Sequence, residues 1–273
     1  MQTSSIGQTP RPNLPVSRRF FRCVRSWILQ FDLLYRLSLK WQYGRSSVES
    51  VPDASLPNGV LQSKSEWQDA TRRGKALGLP LHRGDEKNWD HLAAVDAIVS
   101  TTSKSAYVLD AGAELYSNVL PALFVYGYCN LFGMNLSFTD RARRGPIQYL
   151  PGDITCTGFS DGSFDAITCM SVIEHGVPLQ AYFSEMFRLL KPGGILITST
   201  DYFPDTIDTK NQAAHGTPIK IFSRQEAEQM ISLATDTGFK LTGDIGLDCS
   251  QRPVRWDKYN LEFSFLIFTL RKP

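Results

Sequence analysis

A chain of 273 residues can form one large α/β domain with an appendage, or two small ones, and 42% hydrophobic residues suffice for a substantial core. A net charge of +2 supplies no general basic face, so nucleic-acid binding is not expected. The cysteines Cys23, Cys129, Cys156, Cys169 and Cys249 are odd in number and far apart, with no CxxC pair or Cys/His cluster, which argues against a disulfide framework, a zinc site or any other metal centre. Cys129, Cys156 and Cys169 lie in or beside predicted strands and read as small core residues, a usage that suits a reducing compartment. The start has no secretory pattern, and no apolar run nears the roughly 18 residues of a membrane span, so a cytoplasmic location is expected.

In chain order, residues 1–15 are polar and carry three prolines, as a tail does. From Arg18 to Tyr43 aromatic and aliphatic residues recur at helical spacing among Arg18, Arg19, Arg22, Arg25, Arg36 and Lys40, with Asp32 as the one acid. Such a basic amphipathic helix either docks on the main domain or another subunit, the favoured reading, or lies on an anionic membrane surface. Residues 44–64 read as a linker. The expected division is therefore 1–64, an extension, and 65–273, the main domain.

Helices are predicted over Glu66–Leu77 and over Asn88–Ser100, the latter capped by Asn88 or Asp90. Tyr107–Ala111 is an apolar run ending in Asp110 and turning at Gly112, the pattern of a buried parallel strand. A short helix within Asn118–Tyr128 follows, then strands at Asn130–Leu136, Ile147–Leu150 and Phe164–Met170. Leu179–Leu190 is an amphipathic helix broken by Lys191-Pro-Gly-Gly194, which feeds a strand at Ile195–Thr200. Ser223 and Glu226 form a capping box for a helix to Thr237, and strands at Lys240–Leu247 and Leu261–Leu270 end the chain. The alternation predicts a Rossmann-like, doubly wound, mostly parallel seven-stranded sheet with a terminal antiparallel strand. Only Leu136–Pro146 separates the second and third strands, too few residues for an ordinary parallel crossover.

In such sheets ligands bind beyond the carboxyl ends of the strands. Asp110, Asn135, Asp153, and Ser171 with Glu174 and His175 stand at four of those ends. Asn135 falls where a ribose hydroxyl wants an acceptor, and Asp153 can accept from an adenine amino group.

Here the chain resembles the class I S-adenosylmethionine-dependent methyltransferases. The resemblance runs from about Trp89 to Lys272 and is carried by Val108-Leu-Asp-Ala-Gly112, Gly152-Asp-Ile154, Phe164-Asp-Ala-Ile167, Ser171-Val-Ile-Glu-His175 and Glu185-Met-Phe-Arg-Leu-Leu-Lys-Pro-Gly-Gly194. It implies an S-adenosylmethionine cofactor, with Asp110 and Gly112 beside its methionine part, Asn135 at the ribose, Asp153 and Ile154 at the adenine, and Ser171 nearby. Glu114 and Tyr116 stand where the family has further glycines, and the strand-two acid is replaced by Asn135. Glu114 either binds the cofactor's ammonium or faces solvent, the second being preferred.

Methyl transfer relies on positioning in a dry pocket and needs a base only when the acceptor must lose a proton. His175 is the candidate base, with Glu174 beside it; His215, in the polar loop Asp201–Pro218, is a weaker one. The expected acceptor is a small molecule or a sugar or glycan hydroxyl. A non-catalytic scaffold that kept the fold is the alternative. A dinucleotide-dependent oxidoreductase is disfavoured because only one glycine stands at the phosphate-binding turn.

Overall fold

The computed structural model describes residues 27–44, 56–214 and 216–273. The 1–15 tail, Arg18–Ser26, Cys23, residues 45–55 of the linker and His215 lie outside the described residues.

Twelve strands are described: β1 (Gly59–Val60), β2 (Tyr107–Ala111), β3 (Asn130–Asn135), β4 (Ala142–Arg144), β5 (Ile147–Pro151), β6 (Phe164–Met170), β7 (Leu190–Tyr202), β8 (Ala213–Ala214), β9 (Thr217–Pro218), β10 (Lys240–Leu241), β11 (Val254–Trp256) and β12 (Leu261–Arg271). The helices are α1 (Asp32–Tyr43), α2 (Lys64–Ala76), α3 (Asn88–Thr101), α4 (Val119–Val125), α5 (Leu179–Leu189) and α6 (Arg224–Asp236). All strands but β8 and β9 join one ten-stranded sheet with the path β1-β12-β7-β6-β2-β3-β5-β4, to which β10 and β11 add by pairing with β12. Its centre, β7-β6-β2-β3-β5, is parallel. The long β12 runs antiparallel beside β7.

The parallel centre and the antiparallel final strand are as the sequence implies; the sheet has more strands because short ones line its edges. β4 settles the short connection between β3 and β5. The chain leaves β3, makes β4 as an antiparallel edge strand, and returns into β5 between them, so no crossover helix is needed. β10 stops at Leu241 rather than Leu247, with Gly243 at φ +93° soon after. β7 starts before the expected Ile195, running through the Pro-Gly-Gly segment across a register shift opposite Phe164 and Ala166. A Cβ on Gly194 would press on the carbonyls of Lys191 and Asp165 at 2.9 and 3.0 Å, so the irregularity excludes side chains.

The sheet is covered on both faces. On one, α5 buries Tyr182, Phe183, Met186 and Leu189, a helical i, i+1, i+4, i+7 stripe, together with Ala227 and Met230 of α6. Each of these large α5 side chains contributes about 1.5–3 kcal/mol of burial. The Ser223–Glu226 capping box closes α6 as read from the sequence. On the other face α3 and α4 pack with Tyr35 and Leu39 of α1. Helix α1 thus docks on the domain, with Tyr35 stacked on Phe124 at 5.6 Å between ring centroids.

Three expectations are corrected. Cys129 and Cys156 are exposed, and only Cys169 of the three is buried, because the first two sit in loops flanking strands. Asn88 and Asp90 do not cap α3; Asn88 accepts from His82 N at 2.8 Å and donates to Asp85 O at 3.1 Å, fixing the loop before the helix. The linker does not reach residue 64. Gly59 and Val60 pair with β12, Asn58 accepts from Thr269 N at 2.8 Å, and Leu61 is fully buried, so the main domain begins upstream of the boundary at 64/65.

Candidate functional site

The parallel strands are laid down outward in one direction, β2, β3, β5, and then in the other, β6, β7. The reversal falls between β2 and β6, where the loops leave on opposite faces and a crevice opens. A cavity of about 720 Å³ lies there, within the roughly 300–1,000 Å³ of small-molecule sites. Its wall includes Gly112, Asn135, Asp153, Ile154, Ser171, Glu174 and His175, so seven of the eight residues singled out from sequence converge.

The eighth, Asp110, does not line it. Its carboxylate is 3% exposed beneath the turn and accepts from Thr168 Oγ1 at 2.8 Å. Burial pushes its pKa up to about 6, against the pull of the Thr168 hydrogen bond and of His91. Gly112 does line the cavity, with φ +93° and with Val172 pressed against the place a Cβ would take.

Beside the turn, Asn135 donates from Nδ2 to Gly112 O at 2.9 Å while its Oδ1 accepts from Ser137 N at 2.8 Å. The amide therefore ties the ends of β2 and β3 together, and its carbonyl already has a partner. Glu114, expected to face solvent, is half-buried on the cavity wall, where its Oε1 accepts from Ser137 Oγ at 3.1 Å and faces Asn135 Nδ2 at 3.4 Å. Asp153 is exposed at the rim and accepts from Thr155 N and Oγ1 at 2.8 and 2.7 Å, while Ile154 is buried beside it. This end of the cavity therefore offers carboxylates and an apolar surface.

At the other end Ser171 adopts φ +53°, a left-handed conformation that is uncommon for a residue with a Cβ and concentrated at functional sites. Its N–H donates to Ser199 O at 3.0 Å, and its Oγ accepts from Lys87 Nζ at 2.6 Å. The next residues form the 3₁₀ turn Ile173–His175, ended by Gly176 at φ +81°, and this turn brings His175 to the cavity. Glu174 is buried and accepts from Thr200 Oγ1 at 3.1 Å.

Lys87 organises this end, and sequence reading missed it. Its Nζ stands 3.7 Å from Asp201 Oδ1 and 3.9 Å from the centre of the Phe265 ring. Burial alone would lower the Lys87 pKa, but the carboxylates of Asp201, Asp90 and Glu174 outweigh it and raise it. Glu174 and Asp201 are both held above the ordinary carboxylate range, by burial first and, for Glu174, next by the charge of Asp201; Lys87 pulls both down. Asp201 Oδ1 has no hydrogen-bond partner among the described residues. Behind it Asp90 accepts from Ser199 Oγ at 2.5 Å.

Two histidines were also missed. Asn118 Nδ2 donates to Pro80 O at 3.1 Å, so its Oδ1 accepts from His91 Nδ1. That contact assigns the Nδ1–H tautomer. His82 packs edge-on to His91 and Tyr116, and burial followed by the charge of His91 lowers its pKa to about 4. The one sequence signal for this wall was the density of ionisable residues in His82–His91, which also suits a solvated loop.

Residues 109–198 match a family described as a methyltransferase domain. Among curated proteins, a demethylmenaquinone methyltransferase of Beutenbergia cavernae is 28% identical over 160 residues, covering 55% of this chain and 62% of that protein. A sterol 24-C-methyltransferase of Candida albicans is 29% identical over 104 residues, covering 35% of this chain and 27% of that protein. The chain thus spans less than two thirds of the length of these curated relatives. Among solved structures, a phosphoethanolamine N-methyltransferase 2 of Haemonchus contortus, in complex with S-adenosyl-L-methionine, superposes with a TM-score of 0.50 at 15% identity, covering 67% of this chain and 52% of that one.

Proposed function

We propose that this chain, whose fold and matched domain are those of class I S-adenosylmethionine-dependent methyltransferases, methylates a hydroxyl on a small molecule with an apolar body. The observation that carries the hydroxyl is Asp201 Oδ1, a buried acceptor on the cavity wall whose ion-pair partner, Lys87 Nζ, stands at 3.7 Å, beyond hydrogen-bond distance. Buried polar atoms are nearly always paired, so this one calls for a donor on the bound acceptor.

The cavity suits the cofactor. Glu114 and Asp153 present carboxylates to a cationic ligand, and Ile154 gives an adenine ring an apolar wall. Glu114 at the glycine turn would repel a pyrophosphate, which speaks against a dinucleotide. When bound, S-adenosylmethionine supplies an electrophilic methyl group. Asp201 then orients the acceptor O–H and takes its proton, and Lys87 fixes the carboxylate. A carboxylate raised toward neutral pH suits that work. His175, on the same cavity, is the second candidate base.

Val177, Pro178, Val254, Trp256 and Phe263 line the wall near this cluster, which supports an apolar acceptor body over a sugar or glycan. The named relatives favour a second reading, methylation of carbon in a quinone- or sterol-like molecule. Methyl-labelled cofactor offered with phenols, catechols, hydroxylated sterols and quinols, followed by identification of the labelled atom, tests both. Label on oxygen, with kcat in Asp201→Asn reduced about 10²–10⁴-fold, supports the hydroxyl reading. Label on carbon, or a fully active Asp201→Asn, overturns it.

A further inference from the structure

Helix α1 is apolar on two opposite faces. Tyr35 and Leu39 are buried against the domain. Leu33, Leu37 and Trp41, each four residues from the next, form a row on the other side and are 68%, 51% and 90% exposed. Just before the helix, Trp27 and Phe31 pack edge-on at 5.2 Å, and they too are exposed. A contiguous row of large apolar side chains left this exposed ordinarily marks a surface that meets a partner or a membrane.

The neighbourhood of this row is cationic. Gly145 N donates to Leu29 O at 2.8 Å, which places the edge strand β4 beside the start of the helix. That edge exposes Arg141 and Arg143, and α1 exposes Lys40. The nearby acids are Asp140 and Asp32, the latter paired with Arg143 at 3.4 Å, which leaves the exposed Lys40 and Arg141 with no ion pair among the described residues. In sequence, Arg18, Arg19, Arg22 and Arg25 precede the helix without one acid among them. Among the described residues no helix is long and apolar enough to cross a membrane.

We propose that α1 and the β4 edge dock on an anionic lipid surface, with Leu33, Leu37 and Trp41 entering the interface and Lys40 and Arg141 meeting the headgroups. Leucine and tryptophan opposite a cationic rim are the composition of interfacial helices, and indole rings favour the headgroup level. A juxtaposed cation contributes about 1 kcal/mol toward an anionic leaflet. A second copy docking through the same face would bring these cations against their own kind across a two-fold axis, which disfavours it as the occupant.

The test is co-sedimentation of the full chain with vesicles of phosphatidylglycerol and phosphatidylcholine in equal parts, and of phosphatidylcholine alone. Binding to the anionic vesicles should fall at least tenfold when Leu33, Leu37 and Trp41 are changed together to Ser, and also in Lys40→Glu/Arg141→Glu. The Ser variant should keep the parent's melting temperature, since Leu33, Leu37 and Trp41 are largely exposed, and so should the charge variant, since Lys40 and Arg141 are exposed and have no ion pair among the described residues. The second variant keeps the test decisive should the first fail to fold. No sedimentation with anionic vesicles, equal binding to both kinds, or equal binding by parent and variants overturns the proposal. So does a dimer, seen by analytical ultracentrifugation without lipid, that the Ser variant dissociates.

Discussion

Gly112 and Val172 meet at the cavity floor: a Cβ built on Gly112 would collide with Val172 Cγ2 and lie 2.8 Å from its Cγ1. The contact joins the loop after β2 to the loop after β6, the two that flank the topological reversal. Glycine is required here twice over, by the valine and by a φ of +93°. Gly112→Ala should lose about 1–2 kcal/mol from the left-handed backbone and a further ~1–3 kcal/mol from overpacking. Adding Val172→Ala should restore the packing part alone. Thermal unfolding of the three variants checks this, and a Gly112→Ala protein as stable as the parent would contradict it.

Asp110 is expected to act on stability and its pH dependence. Its pKa is 3.8 as an ordinary carboxyl and about 6 when folded. The folded state therefore prefers the protonated form, so the penalty is absent below 3.8, grows as pH rises, and is full above about 6. A rise of that size corresponds to on the order of 3 kcal/mol. Asp110→Asn keeps an acceptor for Thr168 and should gain stability at pH 8 but little at pH 4, by chemical denaturation. Its S-adenosylhomocysteine affinity should be nearly unchanged; a tenfold loss would return Asp110 to the ligand, where sequence reading placed it.

Removing the Lys87 ammonium should leave buried carboxylates without their counter-charge. Lys87→Met is expected to cost about 3–5 kcal/mol. Glu174 and Asp201 have pKa values raised by burial, so they take up protons as pH falls and then need the lysine less. The loss should accordingly be larger at pH 8 than at pH 5, and Asp201→Asn should relieve part of it. A loss independent of pH between those values would show that Lys87 acts through packing on Phe265 instead.

Glu185 on α5 accepts from Thr157 N and Oγ1 at 2.8 and 2.6 Å and from two Arg188 nitrogens at 2.8 Å. The Arg188 hydrogen bonds lead in lowering its pKa to about 2, with Thr157 adding to them against partial burial. The stabilisation is complete above the ordinary 4.5 and disappears as pH falls through about 2. Glu185→Gln should therefore cost about 1.5–3 kcal/mol at pH 7 and very little near pH 2. Denaturation midpoints of parent and variant that stay equally far apart at both pH values would contradict the assignment.

The central strands were legible because runs such as Phe164–Met170 are apolar, β-branched and bounded by turn residues, and the capping box at Ser223 carries its own signature. The edge strands β1, β4 and β11 are two or three residues long, too short for any periodicity to register. The site was half legible for a similar reason. Residues at parallel strand ends announce themselves by position, whereas Lys87 gains its meaning from Ser171, 84 positions away, and from Asp201. Asp110 sits at a strand end as well, but the pleat turns its side chain under the floor, which spacing alone did not reveal.

The most direct measurement is calorimetric titration of the full chain with S-adenosylhomocysteine, with NADH and NADPH in parallel, repeated on Glu114→Ala. One S-adenosylhomocysteine should bind per chain while neither dinucleotide binds. Loss of the charged hydrogen-bonding group in Glu114→Ala should weaken binding roughly tenfold or more, from about 1.5–3 kcal/mol. Binding of a dinucleotide, or no binding of S-adenosylhomocysteine by the folded chain, would contradict the account.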